Sequence, residues 1–172
     1  IECVEGIEDG DIGEWRRARG LRQRPTCIVL SKTLELPIDE LLAKPHCDLV
    51  IMAGASADPA NAKRLACEGV EVRITPQRWV VGTDIAAIAR ERGFRTLYVI
   101  GGPDILYTML DGRLLDRLYV SGAHVALGGR DFDTLTRGDT LIPPFGFRVN
   151  ELYLDRPAND TPEFMFASYN RA

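Results

Sequence analysis

The stretch "TLYVIGGPDILYTML", residues 96–110, decides how this chain is built. Thr96–Ile100 is an apolar, β-branched and aromatic run of strand length. Gly101, Gly102 and Pro103 interrupt it, and an apolar-periodic segment follows at once and stops at Gly112. A strand passing through a short turn into a helix is half of a strand–helix–strand unit, the connection that parallel strands require.

Upstream, the same alternation repeats. "TCIVLS" (26–31) and "CDLVIMAG" (47–54) read as buried strands, and "VEVRIT" (70–75) alternates as a half-buried strand does. "PIDELLAK" (37–44) reads as a short helical turn with Pro37 at its first position. "ADPANAKRLACEG" (57–69) places Ala60, Leu65 and Ala66 at helical spacing and ends at Gly69. "TDIAAIARERG" (83–93) is the best-marked helix: Thr83 or Asp84 caps it, Ile85, Ile88 and Ala89 form its apolar face, and Gly93 stops it. Downstream the helices cease. "DRLYVSGAHVAL" (116–127), "FRVNELYLD" (147–155) and "EFMFASYN" (163–170) read as strands. The expected fold is therefore α/β in a single domain over residues 1–172. Its mixed, mostly parallel sheet has helices on both faces and antiparallel C-terminal strands.

Composition narrows the function. Hydrophobic residues make up 45% of the 172 and charged ones 27%, as expected of a globular domain with a full core. A net charge of -4 argues against nucleic-acid binding, which calls for a basic face. No apolar run approaches the roughly 20 residues of a membrane span, and no signal-peptide pattern opens the chain, so a cytoplasmic location is expected. Cys3, Cys27, Cys47 and Cys67 form no CxxC pair, and His46 and His124 are the only histidines, so reduced thiols and no metal site are expected. The chain opens at Ile1 as if within a domain, and upstream residues are expected to be lacking.

The Gly101-Gly102-Pro103 corner has two readings. Lying past a strand's carboxyl end and before a helix, it suits an anionic ligand: the helix N-terminus offers N–H groups, and glycine lets a phosphate approach the backbone. Equally, Gly-Gly-Pro makes a tight turn. It matches neither the P-loop nor the GxGxxG dinucleotide pattern.

The segment "LYVIGGPDILYTMLDGRLLDRLYVSGAHVALGGRDF" (97–132) resembles the C-terminal half of the dihydrofolate reductase-like fold. Within that fold the likeness is to the pyrimidine reductases of riboflavin biosynthesis, the reductase domain of the bifunctional deaminase–reductase. The pieces that carry it are Gly101-Gly102-Pro103, "RLLDRLYV" with Asp116, and "HVALGG" with Gly128-Gly129. "VLSKT" (29–33) resembles the strand end that receives the adenosine 2′-phosphate of NADPH, and "LACEGVEVRIT" (65–75) the usual step from helix to strand. The likeness covers roughly residues 25–155. Three departures accompany it. Ile100 stands where the riboflavin reductases carry Glu, so that "VIGG" is the folate-reductase form. His124 replaces a proline. The family's central first strand and its "SlDG" loop are not visible, so they lie upstream, are replaced by residues 1–8, or are lost.

The resemblance implies NADPH as cofactor and a homodimer as assembly. It implies that Gly101 and Gly102 receive the pyrophosphate, with the Gly101–Gly102 bond often cis, and that Ile100 belongs to the cofactor site. Pro103, Asp104, Ile105 and Leu106 would form the first helical turn beside it. Ser31, Lys32 and Thr33 would meet the 2′-phosphate; the alternative for Ser31 and Lys32 is an exposed strand end with a solvated lysine. The implied substrate is a small phosphorylated molecule, a ribosylamino-pyrimidine 5′-phosphate whose ribose becomes a ribityl chain. Arg16, Arg17 and Arg19 are candidates for its phosphate by composition, against the alternative of a solvated basic helix face. Asp116 reads as a turn residue, and no side chain is assigned to catalysis. Two further readings stand beside this one: a reductase of the same fold acting on a pterin, folate or other carbonyl compound, and a non-catalytic nucleotide-binding dimer module.

Overall fold

Residues 49–53 form the most deeply buried strand of the chain, and the reason is their place between two parallel neighbours. In a computed structural model, which describes residues 10–22, 24–37, 42, 48–130, 134–156 and 162–172, the chain divides into two compact units, Ile1–Val80 and Val81–Ala172. In the first unit, strands β1 (Thr26–Leu30), β2 (Asp48–Gly54) and β3 (Glu71–Thr75) form a parallel sheet in the order β1-β2-β3. Thr26 stands opposite Asp48, and Val50 opposite Glu71. β2 is covered on both faces, which is why its apolar residues run without alternation.

Two helices of the first unit are described. Helix α1 (Gly10–Ala18) precedes β1, and helix α2 (Pro59–Cys67) makes the crossover from β2 to β3. Asp58 caps α2, its Oδ1 accepting from the Ala60 N–H at 2.8 Å, and Gly69 leaves the helix at φ +79°. Leu65 is fully buried in a core with Val29, Leu34, Ile51 and Val70, and Ala62 packs against it. Ala60 and Ala66, expected on the same face, are exposed instead. A nine-residue helix on a three-stranded sheet presents only a narrow stripe to it, and Ala62 with Leu65 fills that stripe. The "PIDELLAK" turn falls almost wholly outside the described residues.

The second unit holds helices α3 (Gly82–Glu91) and α4 (Pro103–Asp111), then strands β4 (Arg117–Ala123), β5 (Phe147–Asp155) and β6 (Phe164–Arg171). The strands form an antiparallel sheet in the order β4-β6-β5, with a register shift between Val149 and Glu151. Ile85, Ile88 and Ala89 of α3 are buried, as are Met109 and Leu110 of α4. The helices meet where Gly82 and Gly112 face each other, a Cβ on Gly82 coming within 3.0 Å of the Gly112 Cα. Neither Thr83 nor Asp84 is the N-cap of α3. Val81 takes that position, and Asp84 reaches back from the first turn, its Oδ2 accepting from the Val81 N–H at 3.0 Å.

Two sequence expectations require correction here. Thr96–Ile100 makes no ladder pairing among the described residues, and Tyr98 and Ile100 are 82% and 91% exposed, so the segment is not a core strand. Apolar composition marks what a strand could bury, but a strand exists only when a neighbour supplies the other half of its hydrogen bonds. The strand expected over 116–127 ends at Ala123, because its partner β6 begins at Phe164, directly opposite. Past that point, among the described residues, the His124 N–H continues the pairing, donating to Glu163 O at 2.9 Å.

β2 ends under a close backbone crossing. A Cβ on Gly54 would lie 2.1 Å from the Arg78 carbonyl oxygen and 2.6 Å from the Trp79 Cα. Gly54→Ala is therefore expected to destabilise the fold by about 2 kcal/mol or more, since main chain rather than a mobile side chain must give way. Urea unfolding monitored by circular dichroism measures this; a midpoint equal to that of the wild type would refute the crossing.

Candidate functional site

The Gly101-Gly102-Pro103 corner does three separate jobs, one per residue. Pro103 opens α4 at its first position, where no N–H is needed. Gly102 is the N-cap, and its carbonyl accepts from the Ile105 and Leu106 N–H groups, both at 3.1 Å. Gly101 is a packing glycine: a Cβ there would fall 2.8 to 3.0 Å from the Ile105 side chain. Gly102 differs. A Cβ on it would meet nothing within 4 Å, and its φ of -73° and ψ of -175° suit any residue preceding proline. Neither backbone conformation nor packing calls for glycine at 102. The Gly101–Gly102 bond is trans rather than cis as the resemblance implies. A cis non-proline bond costs about 3 kcal/mol, and the trans bond here already delivers the chain to α4 without strain.

The corner borders a cleft of about 310 Å³ within the second unit. Val99, Leu106, Leu118 and Leu135 give it apolar walls, while Gly101, Gly102, Tyr119 and Thr134 supply polar atoms. The amides of Gly101 and Gly102 have no hydrogen-bond partner among the described residues. They stand beside the partial positive charge of the α4 N-terminus, so the corner fits a phosphate or pyrophosphate oxygen. The far wall is carried by α4 itself. The Arg137 N–H donates to Pro103 O at 3.2 Å, and the chain at Gly138 lies flat on the Tyr107 ring, leaving no room for a Cβ. A permanent cation adjoins the rim. Arg117 donates to the Tyr119 hydroxyl at 3.3 Å, and this bond, with the attraction of Tyr119, raises the guanidinium pKa above its ordinary value.

Of the expected cofactor residues, Gly101, Gly102, Pro103 and Leu106 line the cleft together. Ile105 packs behind the corner against Gly101. Ile100 is exposed beside the cleft but does not line it, and Asp104 lies in the first turn of α4. Ser31, Lys32 and Thr33 belong to the first unit, directly after β1. There Ser31 Oγ accepts from the Leu34 N–H at 2.9 Å, Thr33 Oγ1 accepts from the Glu35 N–H at 3.2 Å, and the Lys32 ammonium lies 5.8 Å from the centre of the Trp79 ring. Arg16 is engaged locally, donating to the Arg22 carbonyl at 2.7 and 3.0 Å, and Arg19 lies over the Trp15 ring at 4.2 Å. Cys27 and Cys67 form no disulfide, and no cluster of metal-ligating side chains forms, among the described residues.

Sequence reading did not find Leu118, Tyr119, Thr134 or Leu135. Tyr119 reads as one more β-propensity residue, and Thr134 and Leu135 lie in a loop whose course depends on Gly138 meeting Tyr107. The two glycines provide a direct check. Gly101→Ala is expected to lower the thermal midpoint by several degrees through the clash with Ile105, whereas Gly102→Ala is expected to leave it within about 1 °C. Equal losses in differential scanning fluorimetry would show that both glycines serve packing.

Comparison with known proteins identifies the family and the fold. The profile of the family described as the RibD C-terminal domain matches residues 6–150. Among curated proteins, the chain is 19% identical over 136 residues to the 2,5-diamino-6-ribosylamino-4(3H)-pyrimidinone 5′-phosphate reductase of Archaeoglobus fulgidus, covering 79% of this chain and 62% of that protein. The chain thus spans about three fifths of the length of that relative. Among solved structures, a pyrimidine reductase-like protein from Corynebacterium diphtheriae aligns over 100% of this chain and 69% of its own, with a TM-score of 0.75 at 17% identity. Acinetobacter baumannii RibD aligns over 84% of this chain and 37% of its own, with a TM-score of 0.60 at 15% identity. The family profile spans well over half of the chain, and the chain belongs to the RibD C-terminal domain family.

Proposed function

We propose that this chain is an NADPH-dependent reductase of riboflavin biosynthesis, acting on a 5-amino-6-(5-phosphoribosylamino)uracil-type pyrimidine whose ribose becomes an open ribityl chain. The observation that carries the reading is Gly102. It is a glycine that neither conformation nor packing requires, open to a cleft, with its own amide and that of Gly101 unengaged among the described residues. Such a position suits an oxyanion that must touch bare main chain. NADPH, when bound, supplies the hydride that reduces the sugar.

The chain's own groups bind and orient. Gly101 and Gly102 receive the pyrophosphate, with Pro103, Asp104, Ile105 and Leu106 forming the turn that aims the α4 dipole at it. Ile100 leads into the corner. Ser31 and Lys32, with Thr33 beside them, receive the 2′-phosphate by hydrogen bond and by charge, which favours NADPH over NADH. The curated relative is named for a ribosylamino-pyrimidine 5′-phosphate, and its name supports this substrate class. A homodimer is part of the proposal. Tyr119, Phe166 and Tyr153 lie on one face of the antiparallel sheet and are all exposed, an aromatic surface of the kind that association covers.

One observation favours a second reading, a non-catalytic nucleotide-binding module: Thr96–Ile100 stays unpaired and exposed among the described residues. Cofactor binding without turnover of any ribosylamino-pyrimidine, pterin or folate would select it.

NADPH is expected to bind with micromolar affinity and NADH more weakly; a titration followed by intrinsic fluorescence that shows no saturable change removes the reductase. Gly102→Val is expected to abolish NADPH binding at unchanged thermal midpoint, because a branched Cβ would occupy the pyrophosphate position. Lys32→Glu is expected to weaken NADPH about tenfold more than NADH, and equal weakening would show that Lys32 does not read the 2′-phosphate. Sedimentation equilibrium is expected to give twice the 19.1 kDa chain mass; a monomer at tens of micromolar would remove the dimer alone.

A further inference from the structure

The carboxyl end of the parallel sheet carries an aromatic side chain that the proposed cofactor contacts leave unexplained. Trp79 follows β3 and is 43% exposed. Its backbone is nonetheless firmly held. The Ala55 N–H donates to Gln77 O at 2.8 Å, the Ser56 hydroxyl donates to Arg78 O at 2.7 Å, and the missing Cβ of Gly54 lets this loop cross directly over the end of β2. Three consecutive residues at the end of β2, Gly54, Ala55 and Ser56, thus hold the main chain that carries the indole.

Two cations gather on that indole. The Arg78 guanidinium carbon lies 5.0 Å and the Lys32 ammonium 5.8 Å from the ring centroid. Each gains from the ring's quadrupole, so one exposed ring engages cations from two different loops. An anion reaching both would take a charge-assisted hydrogen bond from each. Lys32 comes from the loop after β1 and Arg78 from the loop after β3, so the arrangement is built by tertiary structure and not by adjacency in sequence.

We propose that Arg78 and Trp79 determine cofactor specificity in this chain. Arg78 is a second cation for the 2′-phosphate, and Trp79 is a positioning residue whose ring holds Lys32 and Arg78 toward the same anion. The proposal rests on the cofactor reading above, in which Lys32 meets that phosphate. Arginine suits the task because its planar fork can bond two phosphate oxygens while remaining stacked on an aromatic face.

The test titrates the whole chain with adenosine 2′,5′-bisphosphate, adenosine 5′-monophosphate, NADPH and NADH by calorimetry. Wild-type protein is expected to bind the bisphosphate at least tenfold more tightly than the monophosphate. Arg78→Gln is expected to weaken the bisphosphate and NADPH about tenfold while leaving NADH within twofold. Trp79→Ala is expected to do the same, and Trp79→Phe, which keeps a ring, to restore most of the loss. Thermal midpoints identify any variant that fails to fold, and in that event Arg78→Gln and Trp79→Phe decide. If Arg78→Gln binds the bisphosphate as the wild type does, or loses NADH equally, the inference falls while selective loss of NADPH in Lys32→Glu would keep the cofactor reading alive. If the wild type binds neither dinucleotide, both fall together.

Discussion

The two-sided pairing of β2 is the constraint on which the first unit depends. A strand with neighbours on both edges and apolar cover on both faces must be apolar at every position, and residues 49–53 are so throughout. Its burial fixes the level at which β1 and β3 end, because their registers are set against it residue by residue. The loops that leave the three strands therefore emerge along one rim. Ser31, Lys32 and Thr33 lie after β1, Ala55 and Ser56 after β2, and Arg78 and Trp79 after β3. Side chains far apart in sequence become neighbours there because the ladder is parallel.

In the second unit a helix organises the cleft. α4 begins at Pro103, and both sides of its first turns are in use. One side receives the Gly101-Gly102 corner, and the other supports the loop carrying Thr134 and Leu135 through Pro103 O and the Tyr107 ring. The N-terminal end of α4, with its partial positive charge, consequently borders a cleft whose lining the same helix supports.

Much of this was legible in the sequence, and the misses share a cause. Both helix stops at Gly69 and Gly93 were readable, and both lie in the left-handed region that glycine favours. Pro103 marks a helix start through local chemistry that needs no tertiary partner. Strand identity is different. Thr96–Ile100 has the composition of a strand but no described neighbour, and pairing is a property of two segments, not one. The glycine pair shows the same limit at the site. Gly101 and Gly102 are identical letters, yet one is required by the Ile105 side chain and the other faces open space, a distinction that only coordinates reveal. Tyr119, Thr134 and Trp79 were missed because their roles arise from contacts across long sequence separations, and no local pattern records these.

Leu34 is buried completely and adopts φ +61°, a conformation that a branched side chain seldom takes, and the Ser31 oxygen steadies it by accepting the Leu34 amide. A hydroxyl that accepts one bond accepts it more strongly when its own proton is drawn away by a negative group. Charge arriving at the rim would in this way be felt in the hydrophobic interior: it would tighten the turn that keeps Leu34 seated beneath β1. Occupancy of the surface and cohesion of the core would then rise and fall together through a single oxygen atom.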